Sequence, residues 1–195
     1  MDMTTATLDN QKIFRKSAVP SSVVGVALFV ATELMFFTAL ISAFLVIKSG
    51  YGYWAPPEGI KLPMLMTAIN TGFLMLSGIL LFLSGYANRK GDDKKALTLM
   101  IVSSILGLVF FLIQGYEWMN LIKFGFTMQT SVFAGTFFLL IGAHGLHVLA
   151  AVLILGHFCR VFYQKGVVRD TLTALQIMWF FVVGIWPVLY GLVYF

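Results

Sequence analysis

Apolar residues dominate five long stretches of this chain, covering 22–47, 63–86, 97–120, 131–158 and 172–194. A bilayer's hydrocarbon core is about 30 Å thick and takes about 20 apolar residues in a helix, so all five stretches predict membrane-spanning helices. Strands of a membrane barrel would instead alternate over about ten residues. The polar joints between the stretches are short: 48–62, 87–96, 121–130 and 159–171. The pattern predicts an all-α polytopic membrane protein, with one five-helix bundle over 22–195 behind a tail over 1–21. Five spans do not divide into the two related halves of an inverted-repeat transporter. The tail is not expected to be a secretory signal, because Asp2 and Asp9 dilute its basic residues and the first apolar run is too long.

Charge orients the bundle. Ten of the thirteen basic residues fall on one side: Lys12, Arg15 and Lys16 in the tail, Arg89, Lys90, Lys94 and Lys95 in the second joint, and Arg160, Lys165 and Arg169 in the fourth. Only Lys48, Lys61 and Lys123 fall on the other. Basic residues stay with the cytoplasmic side, so the N-terminus is expected there and the C-terminus outside. The outer side carries Tyr51, Tyr53, Trp54 and Trp118, residues suited to headgroup depth.

Composition agrees. Of 195 residues, 59% are hydrophobic and 11% charged, against about 25% charged in soluble domains. That excludes a soluble globular domain and a disordered chain alike. A net charge of +5 and a pI near 9.4 would suggest nucleic acid on a soluble protein. Here one membrane face accounts for the excess, and no nucleic-acid partner is expected. The single cysteine, Cys159, excludes a disulfide framework and a thiolate metal site.

Ionisable groups inside a bilayer are costly and usually functional or paired. Glu33 falls near the centre of the first span, His144 and His147 near the middle of the fourth, and His157 at that helix's inner end. Glu117 lies one turn from the outer end of the third, where it serves either as an interfacial contact or as a functional group. Glu33 and the histidine pair share a depth, so Glu33 is expected to be protonated or paired and to contact the fourth helix. His144 and His147, spaced i and i+3, share a face. Two imidazoles need further metal ligands, however, and His157 lies about 15 Å along the helix; hydrogen-bonded packing histidines are the favoured reading, with no metal site. Asn70, Ser77 and Ser84 recur every seven residues with Gly78 and Gly85 beside two of them, a seam for close helix packing. Gly142, Gly145, Ala150 and Ala151 suit the same purpose in the fourth span.

Three histidines cannot supply a haem–copper centre or a di-iron cluster. The chain has no Walker loop, dinucleotide fingerprint or nucleophile–base motif. It is expected to be non-catalytic alone: either a subunit of a larger membrane complex or a small proton or solute conductor.

The residues then resemble subunit III of the haem–copper terminal oxidases, over nearly the whole chain from the first span onward. Thr32-Glu33-Leu34-Met35-Phe36-Phe37 is similar to that family's element around a buried carboxylate, and Trp54-Ala55-Pro56-Pro57 to its Trp-Pro-Pro outer loop. Asn70-Thr71 with Ser77-Gly78 resembles its Asn-Thr…Ser-Gly helix, and Gln114-Gly115-Tyr116-Glu117 its Gln-x-x-Glu segment. The most specific match is Gly135-Thr136-Phe137-Phe138 followed by Gly142-Ala143-His144-Gly145-Leu146-His147-Val148. The resemblance implies the five-helix bacterial type in the plasma membrane, bound beside catalytic subunit I, with subunit II in the complex. A larger respiratory supercomplex is compatible with it. It also implies bound phospholipid, haem and copper carried by the partner subunits, and support of proton uptake with Glu33, His144, His147 and Glu117 as the buried polar groups.

In one place the chain departs from the family, whose last helix usually reads Trp-His-Phe-Val-Asp-x-x-Trp. This chain has Trp179-Phe180-Phe181-Val182-Val183-Gly184-Ile185-Trp186, so Phe180 and Val183 stand where the His and Asp would be, and Pro187 is expected to bend or loosen the helix. Such a change fits an accessory subunit of a nitric oxide reductase as the alternative within the family. An independent small transporter is the alternative outside it.

Overall fold

The computed structural model describes residues 20–54, 56 and 62–194. These form five helices: α1 (Ser21–Ser49), α2 (Met64–Arg89), α3 (Asp93–Lys123), α4 (Val132–Lys165) and α5 (Arg169–Tyr194). Each is long and apolar enough to cross a membrane, and the described residues contain no strand. Most of the expected tail, with Lys12, Arg15 and Lys16, lies outside the described residues, as do Ala55 and Pro57 of the outer loop.

The helices overrun the apolar stretches, α4 by seven residues at its basic end. Hydropathy marks the hydrocarbon, whereas capping and backbone geometry end a helix. Asp92 accepts the Lys95 amide at the start of α3, and Ser131 accepts that of Ala134 at the start of α4. Gly166, with φ of 81°, stops α4 in a conformation that disfavours a side chain, and Gly91 does the same between α2 and α3. α5 continues through Pro187 to Tyr194.

The last helix in sequence is central in space. α5 packs against α1, α2 and α4, and holds the fully buried Trp179 and Trp186. α2 and α3 form an antiparallel hairpin, and α3 leans on α4. α1 is peripheral: it lies along α5, meets α4 briefly, and its backbone comes close to neither α2 nor α3 among the described residues. Its inward stripe includes Val26, Val30, Glu33, Phe37, Ile41 and Phe44, one every three or four residues. In lipid, helices associate by close packing and small residues rather than by hydrophobic burial. Gly107 lies directly under the Trp179 indole, and a Cβ on Gly145 would come within 2.9 Å of Trp118. Ala151 is likewise buried, but Gly142 has open space around it and Ala150 is exposed, so only part of the expected α4 seam packs. Trp54 and Trp118, expected at headgroup depth, are drawn partly inward; Trp54 stacks edgewise on Phe44 and Phe133.

Candidate functional site

Glu33 on α1 and His147 on α4 join those two helices, with Glu33 Oε2 and His147 Nε2 2.8 Å apart. The other ring nitrogen, Nδ1, lies 2.7 Å from the Ala143 carbonyl one turn back on α4. A carbonyl only accepts, so Nδ1 carries a hydrogen and donates it. Two acceptor lone pairs cannot face each other at 2.8 Å, so a proton also lies between Nε2 and Oε2. Either Glu33 donates it as a carboxylic acid to a neutral ring, or the imidazolium donates it to a carboxylate. In both forms the pair as a whole carries no net charge, which suits its depth. The side chains are 18% and 25% exposed, so the shared proton lies near the surface of the bundle. Phe37, fully buried, packs edge-on to the His147 ring at 5.1 Å and fixes the inner side of the pair.

His144 does not join it. Three residues back along α4, its ring faces the bundle interior, stacked on Trp186 with centroids 4.9 Å apart and flanked edgewise by Phe110 and Phe37. Both of its nitrogens are buried without a hydrogen-bond partner among the described residues. The pair therefore divides between two environments: His147 is hydrogen-bonded as expected, and His144 is held by rings. Among the described residues no group of three or more His, Cys, Asp and Glu side chains is arranged to hold a metal ion. Glu117 is half-buried in the last two turns of α3 and is not bonded to Glu33. His157 is exposed. Of the four expected polar groups, the fold joins two.

The α2 residues spaced by seven all point inward. Asn70 donates to the Phe110 carbonyl (3.0 Å) and Ser84 to that of Ala96 (2.7 Å), both on α3. The Ser77 hydroxyl accepts the Trp179 indole N–H from α5 (3.2 Å), while the Ser77 carbonyl accepts Ser103 from α3 (2.7 Å). Sequence reasoning passed over the partners on α5. Trp186 donates to Thr71 (2.8 Å) and Gln176 to the Leu81 carbonyl (2.7 Å), with the Gln176 amide covering Gly85. A tryptophan or glutamine in an apolar run carries no visible period, although its isolation among apolar residues is a usable signal. Val183, where the family has Asp, packs on Gly78, and Phe180, where it has His, is partly exposed beside Phe82.

Comparison with known proteins agrees with this architecture. The family model described as cytochrome c oxidase subunit III matches residues 11–195. The chain is 30% identical over 182 residues to "Cytochrome c oxidase subunit 3" of Thermostichus vulcanus, covering 88% of this chain and 86% of that protein. It is 32% identical over 181 residues to the protein of that name from Synechocystis sp., covering 87% and 73%. A "Probable cytochrome c oxidase subunit 3" of Mycobacterium leprae is 27% identical over 180 residues, covering 88% and 86%. With the match running through all five spans, the chain belongs to the cytochrome c oxidase subunit III family.

Proposed function

We propose that this chain is the non-catalytic subunit III of a bacterial haem–copper terminal oxidase. It lies beside subunit I in the plasma membrane, with the basic side and the 1–21 tail in the cytoplasm and the C-terminus outside. Haem and copper reside in the partner subunits; this chain contributes packing, bound phospholipid and a protonatable pair. The observation that carries the reading is the Glu33–His147 contact at 2.8 Å. A protonatable pair near the bundle surface supports a role in proton uptake in addition to packing. The pair stays neutral while the proton sits on either partner, so the proton shifts between Oε2 and Nε2 with little rearrangement. The 10-to-3 division of basic residues supports the orientation. The names of the relatives favour an oxidase over a nitric oxide reductase.

Affinity purification of the tagged chain in mild detergent tests this reading. Haem and copper spectra with oxygen-consuming activity in the purified complex are expected. A chain that purifies free of haem-bearing subunits overturns it.

A further inference from the structure

We propose that the groove between α2 and α5 on the Arg89 side is a binding site for one anionic phospholipid. The acyl chain lies along the helices and the phosphate sits on Arg89. Two cavities, of about 200 and about 300 Å³, meet at Phe82 and Phe180 and form one continuous furrow. Its deep end is apolar, walled by Met75, Ile79 and Val183 over the bare backbone of Gly78. Its other end is polar, bounded by Thr173, Gln176 and Arg89. From Gly78 to Arg89 α2 rises about 16 Å, at about 1.5 Å per residue. That is about half of the hydrocarbon core and the depth of a single leaflet.

Charge selects the headgroup. Arg89 is exposed in the last turn of α2, and no carboxylate among the described residues lies within 4.0 Å of its guanidinium. A planar fork of donors without an acidic partner, at headgroup depth and at the mouth of an apolar furrow, matches a phosphate diester. The groove on the opposite flank of α2 differs. It has Lys90 and Lys95 in its lining, but also Asp92, and Lys90 lies 4.5 Å over the Tyr86 ring. An acidic side chain thus lines that groove, whereas none among the described residues lines the furrow at Arg89.

Length and charge together select a lipid: the furrow runs the depth of one leaflet and ends at a cation. Phe180 at its middle and Val183 at its deep end are the two residues that depart from the pattern the resemblance implies for the last helix. The inference rests on the reading of this chain as a lipid-binding membrane subunit and gives that lipid an address.

Native mass spectrometry of the full-length chain, with whatever subunits accompany it, counts lipid retained from vesicles of phosphatidylcholine doped with phosphatidylglycerol. Arg89→Gln is expected to lower retained phosphatidylglycerol about fivefold, the scale of one basic residue at an anionic headgroup layer. Ile79→Trp, whose exposed position lets the indole fill the deep end without entering the core, should lower it similarly. Lys90→Gln should leave it unchanged. Equal retention by wild type and both groove variants overturns the proposal, as does equal retention of phosphatidylcholine. Loss of a partner polypeptide instead of lipid from Ile79→Trp also overturns it, in favour of a docked helix. So does full protection of Arg89 by inorganic phosphate in lipid-free detergent, which would mark a free-phosphate site. The haem content of the same preparation reports separately on the oxidase reading, so each can fail without the other.

Discussion

Glu33 and His147, 114 positions apart in the sequence, are joined by a hydrogen bond of 2.8 Å that ties the peripheral helix α1 to α4. Because His147 Nδ1 is committed to the Ala143 carbonyl, a proton must lie between the two side chains. The consequences for mutation are asymmetric. Glu33→Gln keeps a donor, the amide N–H, facing the ring nitrogen and should cost little stability. His147→Leu leaves the carboxyl facing nothing and should cost about 1–2 kcal/mol, a buried hydrogen bond discounted for partial exposure. Thermal unfolding of Glu33→Leu, His147→Leu and their double mutant in detergent measures the coupling. Additive effects would mean that the bond contributes nothing.

The two histidines should respond in opposite ways to the same substitution. His144→Phe replaces a ring with two unpaired buried nitrogens by one that suits its aromatic neighbours, and should be neutral or stabilising by about 1 kcal/mol. His147→Phe should destabilise. If both variants lose stability equally, the aromatic account of His144 is wrong.

Infrared difference spectra of the purified complex, recorded across a pH titration, should contain a carboxyl or carboxylate band that disappears in Glu33→Gln. Identical spectra from the two proteins would remove Glu33 from any proton-handling role, though not from its place in the contact.

Glycine by itself does not predict sensitivity, whereas its surroundings do. Gly107→Ala puts a methyl group into the Trp179 indole, which is itself held by Ser77, and should cost about 1–3 kcal/mol. Gly142→Ala meets nothing within 4 Å and should raise stability slightly through helix propensity. Equal melting temperatures for the two variants would refute the close approach of the Trp179 indole to Gly107.

Asn70→Leu removes the α2–α3 hydrogen bond to the Phe110 carbonyl. Interhelical bonds within membranes contribute about 0.6 kcal/mol on average and up to about 1.7, so a loss within that range is expected from steric-trap or denaturant unfolding. A much larger loss would point to a second function for the Asn70 carbonyl oxygen, which has no hydrogen-bond partner among the described residues.

Much of this molecule was legible in the one-dimensional pattern. A helix in lipid must satisfy its own backbone, so a run of about 20 apolar residues has one structural outcome, and its length and flanking charge can be read directly. The five spans, the inward seam of Asn70, Ser77 and Ser84, and the pairing of Glu33 with the fourth helix follow from that rule together with the cost of lone polar groups. The rule says nothing about which helices touch, because every span is apolar all round and lipid competes with protein for each face. Only the tertiary structure decided that the last helix is central and the first peripheral. It also decided that His144 turns to Trp186 while His147 turns to Glu33, and that Gly107 receives an indole while Gly142 faces open space. Residues i and i+3 on a helix differ by about 60° in direction, and whether that gap matters depends on where the neighbouring helices lie.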